Sequence, residues 1–258
     1  MARQGSARTK AAAAKSGGWA DSFRTLVYAL LIALVIRTFL FEPFNIPSGS
    51  MIPTLLVGDY LFVSKFSYGY SRYSFPWYHP PFKGRILGSL PHRGDVAVFR
   101  LPGDPSIDYI KRIVGLPGDT IQVRRGQLYI NGKEVPRTRD GTYTATGEGP
   151  PMRLRRYLET LPGGVTHPIL KSTSSGYQNN TPVFHVPPGY VFGMGDNRDN
   201  SEDSRFMGGP PGVGYIPLAN LVGRAELIFF SIRATYPWWE FWEWPVEIRW
   251  GRLFTWVH

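Results

Sequence analysis

The 258-residue chain contains no cysteine, which excludes a disulfide framework, a thiol nucleophile and a cysteine-ligated zinc. Histidine is sparse: the five, at 79, 92, 167, 185 and 258, stand in loops or strand edges with no acid at a meaningful spacing. Neither H-E-x-x-H nor G-x-S-x-G occurs. A Ser-His-Asp triad stays open, because its members need not be neighbours in sequence. Acids are also scarce, 19 Asp and Glu against 29 Lys and Arg, for a formal charge of +10. That sign calls for a polyanionic neighbour, either nucleic acid or an anionic membrane.

What the chain does have is one long apolar run. Residues 25–41, TLVYALLIALVIRTFLF, are apolar except for Thr25, Arg37 and Thr38. As a helix they cover roughly 25 Å, short of the roughly 30 Å of a bilayer core, so a span needs Phe23 or Phe44 and a snorkelling Arg37. Arg3, Arg8, Lys10, Lys15 and Arg24 precede the run, against the single acid Asp21, which places the N-terminus in the cytoplasm and the rest outside. Two other readings compete with this anchor. A cleaved signal has the same basic start, but FEPFNIPSGS offers no A-x-A site. A buried soluble helix is rarely apolar on every face. The anchor settles the charge in favour of the lipid bilayer, with no nucleic acid partner.

The organisation follows from composition. Residues 1–22 read as a basic cytoplasmic tail and 23–43 as the anchor. From Tyr60 onward, short β-branched and aromatic runs alternate with Gly, Pro and Asp, which predicts a mainly β fold. Asn131-Gly132 between alternating apolar residues predicts a tight hairpin. Residues 44–136 and 187–236 are the two parts of this β region. Between them, residues 137–186 have weak periodicity and read as an inserted lobe, and residues 67–93 as another irregular excursion. Residues 237–258 hold six of the eight tryptophans, at 238, 239, 242, 244, 250 and 256. Tryptophan collects at bilayer interfaces, so this tail is expected as a second, shallow membrane contact, with Glu240, Glu243 and Glu247 resisting deep burial. Packing of the rings under the β region is the competing reading.

Three stretches carry chemistry. In IPSGSMIPTLLVGD (residues 46–59), an extended backbone puts Ser48 and Ser50 on one side, so that one attacks while the other hydroxyl, with the Ser50 N–H, donates to an oxyanion. A plain Ser-Gly loop is the alternative. In DYIKRIVGLPGD (residues 108–119), strand alternation separates Lys111 from Arg112 and flanks Lys111 with Tyr109 and Ile113. Desolvation there favours the neutral amine, a competent base for Ser50, whereas an arginine stays protonated. A solvated strand lysine is the alternative. In GDNRDNSEDSR (residues 195–205), the spacing fails the EF-hand pattern, Asp203 and Arg205 suit a loop-fixing ion pair, and Ser201 is placed to bond a neighbouring amine.

Together, with FEPFNIPSGSMIPTLLVGDYLFVSKFSYG and GDVAVFR in the same order after an N-terminal anchor, these stretches resemble a bacterial type I signal peptidase (leader peptidase). The resemblance implies two antiparallel β-sheet domains behind one transmembrane helix, and cleavage of signal peptides from exported preproteins after A-x-A-like sites, with no metal and no organic cofactor needed. It implies Ser50 as nucleophile, Lys111 as general base and Ser48 as side-chain oxyanion donor beside the Ser50 N–H. It makes Ser201 the hydroxyl that orients the lysine, and Asp203 and Arg205 the supporting pair. Phe44, Ile46, Pro47, Tyr109 and Ile110 fall where that family builds shallow apolar pockets for substrate. The implied location is the bacterial inner membrane, with the catalytic region on the periplasmic face and the export machinery as a potential partner. Two rivals are a non-catalytic membrane-tethered export adaptor and a self-cleaving Ser/Lys repressor; the chain lacks the N-terminal DNA-binding helices of the latter.

Overall fold

No Gly or Pro interrupts residues 19–42, and Ala and Leu are frequent there, so the segment folds as helix α1 (Trp19–Val35) and continues as a π-helical turn over Ile36–Leu40. The computed structural model describes residues 19–75, 84–147, 149–208, 212–233, 239, 242 and 244–258. The 20 residues Asp21–Leu40 reach about 30 Å at about 1.5 Å per residue, the thickness of a bilayer core. Leu26, Leu30, Leu31, Ile32 and Val35 are all exposed. An apolar helix with nothing packed on its face among the described residues is not the core helix of a soluble domain. The helix gains its length at the N-terminal end, from Trp19. It stops at Leu40 because Phe41 already belongs to β1 (Phe41–Asn45), which pairs antiparallel with β2 (Asp59–Ser64). Lys65, buried, closes this junction with Glu42 at 2.9 Å and the Ser74 carbonyl at 2.9 Å.

The remaining strands follow the β-branched and aromatic runs. β3 (Tyr70–Ser71) and β4 (Arg85–Ile86) form a ribbon, then come β5 (Val96–Leu101) and the long β6 (Asp104–Gly115). β7 (Thr120–Arg124), β8 (Gln127–Ile130) and β9 (Lys133–Glu134) are joined by tight turns. At the second turn Asn131 and Gly132 take φ of 53° and 74°, the positive values a two-residue hairpin demands, as expected from the sequence. β10 (Arg137–Gly147), β11 (Gly149–Thr160) and β12 (Thr166–Lys171) make a lobe of their own. β13 (Phe184–His185), β14 (Tyr190–Met194), β15 (Ile216–Pro217), β16 (Leu221–Ser231) and β17 (Thr255–Trp256) complete the chain.

The main sheet runs β1-β2-β16-β5-β6-β14-β15, with β17 added on β16; a second sheet runs β13-β7-β8-β9 and the lobe β10-β11-β12. Neighbours in these sheets are antiparallel. The fold is mainly β, behind one apolar helix. The lobe is an ordered three-stranded sheet rather than an irregular excursion. Its weak periodicity has a cause: register shifts at 139/142 and 145/147 reset the inside-outside alternation.

Ile46, Met51, Leu55, Leu61, Val63 and Val98 form a buried cluster that supports the loop between β1 and β2. The C-terminal segment folds back through α2 (Trp244–Glu247) and a 3-10 turn at Trp250–Arg252 before β17 joins the main sheet. Trp239, Trp242, Trp244, Trp250 and Trp256 are exposed; Trp238, Glu240 and Glu243 lie outside the described residues. Glu247, expected at the surface, is buried, because the bridge Ile232↔Ile248 draws its short helix onto the end of β16.

Candidate active site

Ser50 lies in a single 3-10 turn, Gly49–Met51, that follows the extended Ser48 (φ −132°, ψ 155°). The turn breaks the extended geometry expected from sequence, so Ser50 points inward and is buried while Ser48 is exposed. The backbone on either side is held by one residue: the Asn197 amide donates to the Ser50 carbonyl at 3.0 Å, and its side-chain amide donates to the Gly49 carbonyl at 3.1 Å.

Lys111 comes from β6, 61 residues further on, and its Nζ stands 2.8 Å from Ser50 Oγ. It is 3% exposed. Its amine also bonds the Ile110 carbonyl at 3.0 Å and faces the Tyr109 ring at 5.1 Å. Burial pulls its pKa down from 10.5 to about 8; Asp203, Glu202 and Asp196 push it upward, and Arg205 pushes it further down. Desolvation wins, so a sizeable fraction of the amine is neutral near pH 8 and the Ser50 hydroxyl has an acceptor for its proton.

The turn after β14 supplies the rest. Arg205 grips Asp203 with two bonds, Nε to Oδ1 at 2.9 Å and Nη2 to Oδ2 at 2.7 Å, and Asp203 Oδ2 accepts the Gly195 amide at 3.0 Å. Arg205 also donates to the carbonyls of Arg198 at 2.6 Å and Gln178 at 3.0 Å. The expected ion pair is therefore present and buried. Ser201 is buried beside Ser50, but its hydroxyl pairs with no described residue and does not reach Lys111; the second partner of the amine is the Ile110 carbonyl instead. Sequence reasoning gave Gly195 no role. A Cβ there would fall 2.5 Å from both Ser201 Cβ and the Ser50 carbonyl oxygen, so only glycine lets the two loops meet.

Two further pairs escaped the sequence. Arg112, on the opposite face of β6 from Lys111, is wholly buried and binds Asp196 through Nε at 2.9 Å and Nη2 at 2.8 Å. Thr54 Oγ1 donates to the same carboxylate at 2.5 Å. The available signal was Arg112 itself, a charge on an inward face that needs a counter-ion. His167 is buried and does face acids: Glu159, its cross-strand partner in the β11–β12 hairpin, and Asp196, which the turn after β14 brings near.

The expected substrate-contact residues split between two faces. Phe44, Ile46 and Ile110 pack in one cluster with Met51, Tyr109 packs in another with Phe99 and Ile113, and Pro47 is exposed. β14 pairs with β6 only from Arg112 to Gly115, so the same edge of β6 is open along residues 104–110 among the described strands. A buried hydroxyl, a neutral amine and an open strand edge beside them suit acyl transfer on an extended peptide.

Residues 19–230 match the family model described as signal peptidase, peptidase S26. Signal peptidase I of Rickettsia typhi (strain ATCC VR-144 / Wilmington) is 45% identical over 228 residues, 85% of this chain and 83% of that protein. Signal peptidase I of Rickettsia canadensis (strain McKiel) is 44% identical over 229 residues, 86% and 83% of the two chains. A crystal structure of a signal peptidase I from Enterococcus faecalis V583 is 26% identical, covers 53% of this chain and 97% of its own, and overlaps with a TM-score of only 0.30. The family match from α1 to the end of β16, and identity above 40% over most of both chains, place this chain in the signal peptidase family, peptidase S26.

Proposed function

We propose that Ser50 and Lys111 are the nucleophile and general base with which this signal peptidase removes signal peptides from preproteins. The observation that carries the assignment is the 2.8 Å contact between Ser50 Oγ and a buried Lys111 amine. Ser50 Oγ bonds to the scissile carbonyl carbon as its proton passes to Lys111 Nζ. The C–N bond then breaks, and Lys111 returns the proton to the leaving amine. Water, deprotonated by the same amine, hydrolyses the ester and restores the Ser50 hydroxyl. Ser48 and the Ser50 N–H are the proposed oxyanion donors; Ser48 is exposed toward incoming substrate, and the Ser50 N–H sits in a first turn that offers it no carbonyl. Ser201 approaches the amine on substrate binding, and Asp203 with Arg205 fixes its turn. The preprotein lies along the open edge of β6, with small side chains against Phe44, Ile46, Pro47, Tyr109 and Ile110.

Signal peptidase activity with one apolar helix supports a membrane-bound enzyme. The proposed arrangement is a single pass through the bacterial inner membrane, N-terminus in the cytoplasm, with the β region on the periplasmic face where the export machinery delivers substrate. The exposed tryptophans of the C-terminal segment form the proposed second lipid contact. The test is incubation of the full chain in detergent with a preprotein, followed by N-terminal sequencing of the product. A new N-terminus after an A-x-A site, lost in Ser50→Ala and in Lys111→Ala while both remain folded, is expected. Full activity in either variant removes the dyad; no cleavage by the intact chain favours the export adaptor.

A further inference from the structure

The lobe of β10–β12 looks peripheral, yet its inner strand is built into the turn behind the nucleophile. Leu170 of β12 and Asn197 form a parallel bridge. The Leu170 amide donates to the Asp196 carbonyl at 2.9 Å, and the Arg198 amide donates to the Leu170 carbonyl at 3.1 Å. Asn197, between those two residues, is the one that holds the carbonyls of Gly49 and Ser50. One residue therefore separates the backbone of the lobe from that of the nucleophile.

The side chains along this seam are charged and buried. Glu159 of β11, fully buried, accepts from both terminal nitrogens of Arg198, Nη1 at 2.9 Å and Nη2 closer still. His167, its cross-strand partner in β12, puts Nε2 3.6 Å from Glu159 and 3.7 Å from Asp196, and neither ring nitrogen has a hydrogen-bond partner among the described residues. Lys171 donates to Asp199 at 2.9 Å and to Asn179 at 2.6 Å. Arg112, next to Lys111 in β6, clamps the Asp196 carboxylate from the far side. Burying ions costs several kcal/mol each, and well-packed apolar side chains of similar volume give equal or better stability. Charges kept at a seam of this kind point to the placement of what they hold.

We propose that Glu159 and His167 are positioning residues for the dyad. They seat the Asp196–Arg198 segment so that Asn197 fixes the backbone of Ser50 and the carboxylates of Asp196 and Asp203 keep their places around the dyad. The lobe thus belongs to the catalytic machinery through its inner edge alone. Its outer strand β10, where the exposed Asp140 pairs with Arg156 of β11 at 3.1 Å, does not take part. This proposal rests on the Ser50–Lys111 assignment.

The groups acting on Lys111 are Asp203, Glu202 and Asp196, which raise its pKa, and Arg205, which lowers it, with the Tyr109 ring against the amine. His167 faces Arg112, Asp196, Glu159 and Arg198; burial first, and then Arg112, hold it down to about 4, so it works as a neutral ring. Glu159→Gln removes one negative charge, leaves the Arg198 cation with only the more distant Asp196 and Asp203 to balance it, and loosens the turn that carries those two acids. All three changes favour neutral Lys111, so the alkaline limb of the rate profile moves to lower pH. The substrate edge at Phe44, Ile46 and Ile110 is not part of the seam, so KM holds.

The experiment measures kcat, KM, the pH profile and Tm for the full chain in detergent, with Glu159→Gln, Glu159→Asp, His167→Gln, Arg156→Gln and Lys111→Met. Glu159→Gln and His167→Gln are expected to lower kcat about tenfold or more with KM within about twofold. The limb of Glu159→Gln shifts acidward, Glu159→Asp recovers part of the rate, and Arg156→Gln matches wild type. Should Glu159→Gln fail to fold, His167→Gln, which removes no charge, decides by its split between kcat and KM. Wild-type kcat in folded His167→Gln, or an unmoved limb in folded Glu159→Gln, overturns the coupling. Activity in Lys111→Met overturns the dyad instead, which separates the two failures.

Discussion

At the scale of the residue, the proposed role of Lys111 and the stability of the fold pull in opposite directions. Its pKa of about 8 in the folded chain lies below the ordinary 10.5, so the unfolded chain binds more protons between those values and stability rises with pH across that window. Below pH 8 the folded state bears the full cost of a buried ammonium, about 3 kcal/mol at about 1.4 kcal/mol per pKa unit. Lys111→Met is therefore expected to be inactive yet more stable by about that amount at pH 7, with the gain shrinking toward pH 10.5, as read by chemical denaturation. Lys171, also pulled down to about 8 by burial, contributes with the same sign, so the difference between variant and wild type isolates Lys111. Lys111→Arg is expected to be inactive at every pH, since guanidinium does not release its proton. The rate of the wild type should rise along an alkaline limb centred near pH 8. The burial of Lys111 was legible because strand alternation separates it from Arg112 and flanks it with Tyr109 and Ile113. The free Ser201 hydroxyl was not, because pairing in a folded turn depends on tenths of an ångström that spacing does not encode.

At the scale of the element, the turn of residues 195–205 organises the site. Gly195 sets how close it comes to the Ser50 loop, so Gly195→Ala forces the Ser50 carbonyl and Ser201 apart. Loss of about 1–3 kcal/mol of stability, as for overpacked cores, and at least a tenfold drop in kcat are expected; Tm and steady-state rates check both. Unchanged kcat would mean that the approach of the two loops does not matter. The hairpin at Asn131-Gly132 was readable from two residues that tolerate positive φ. The lobe was not, because its register shifts erase the alternation by which strands are recognised. The Arg112–Asp196 and Glu159–Arg198 pairs were equally hidden, since their partners lie 84 and 39 residues apart.

At the scale of the whole molecule, helix α1, Ser50 and the C-terminal segment are tied to the main sheet by short links. The Phe41–Asn45 strand and the Glu42–Lys65 pair join α1 to the main sheet, and Ser50 follows five residues after that strand. A chain cut after residue 40 keeps both links and is expected to fold and to cleave peptide substrates. The exposed tryptophans should still bring it to anionic liposomes with blue-shifted emission, and removal of residues 237–249 should weaken that binding. No binding by the anchorless chain, or binding indifferent to the deletion, contradicts a lipid-contacting tail. The most direct measurement of the central claim traps the acyl-enzyme. The full chain is mixed with preprotein at pH 8, quenched in acid at intervals within the first turnover, digested and sequenced by mass spectrometry. The account predicts an ester of the signal peptide on Ser50, absent in Lys111→Met; an ester on another residue, or rapid product formation with Ser50 never acylated, would contradict it.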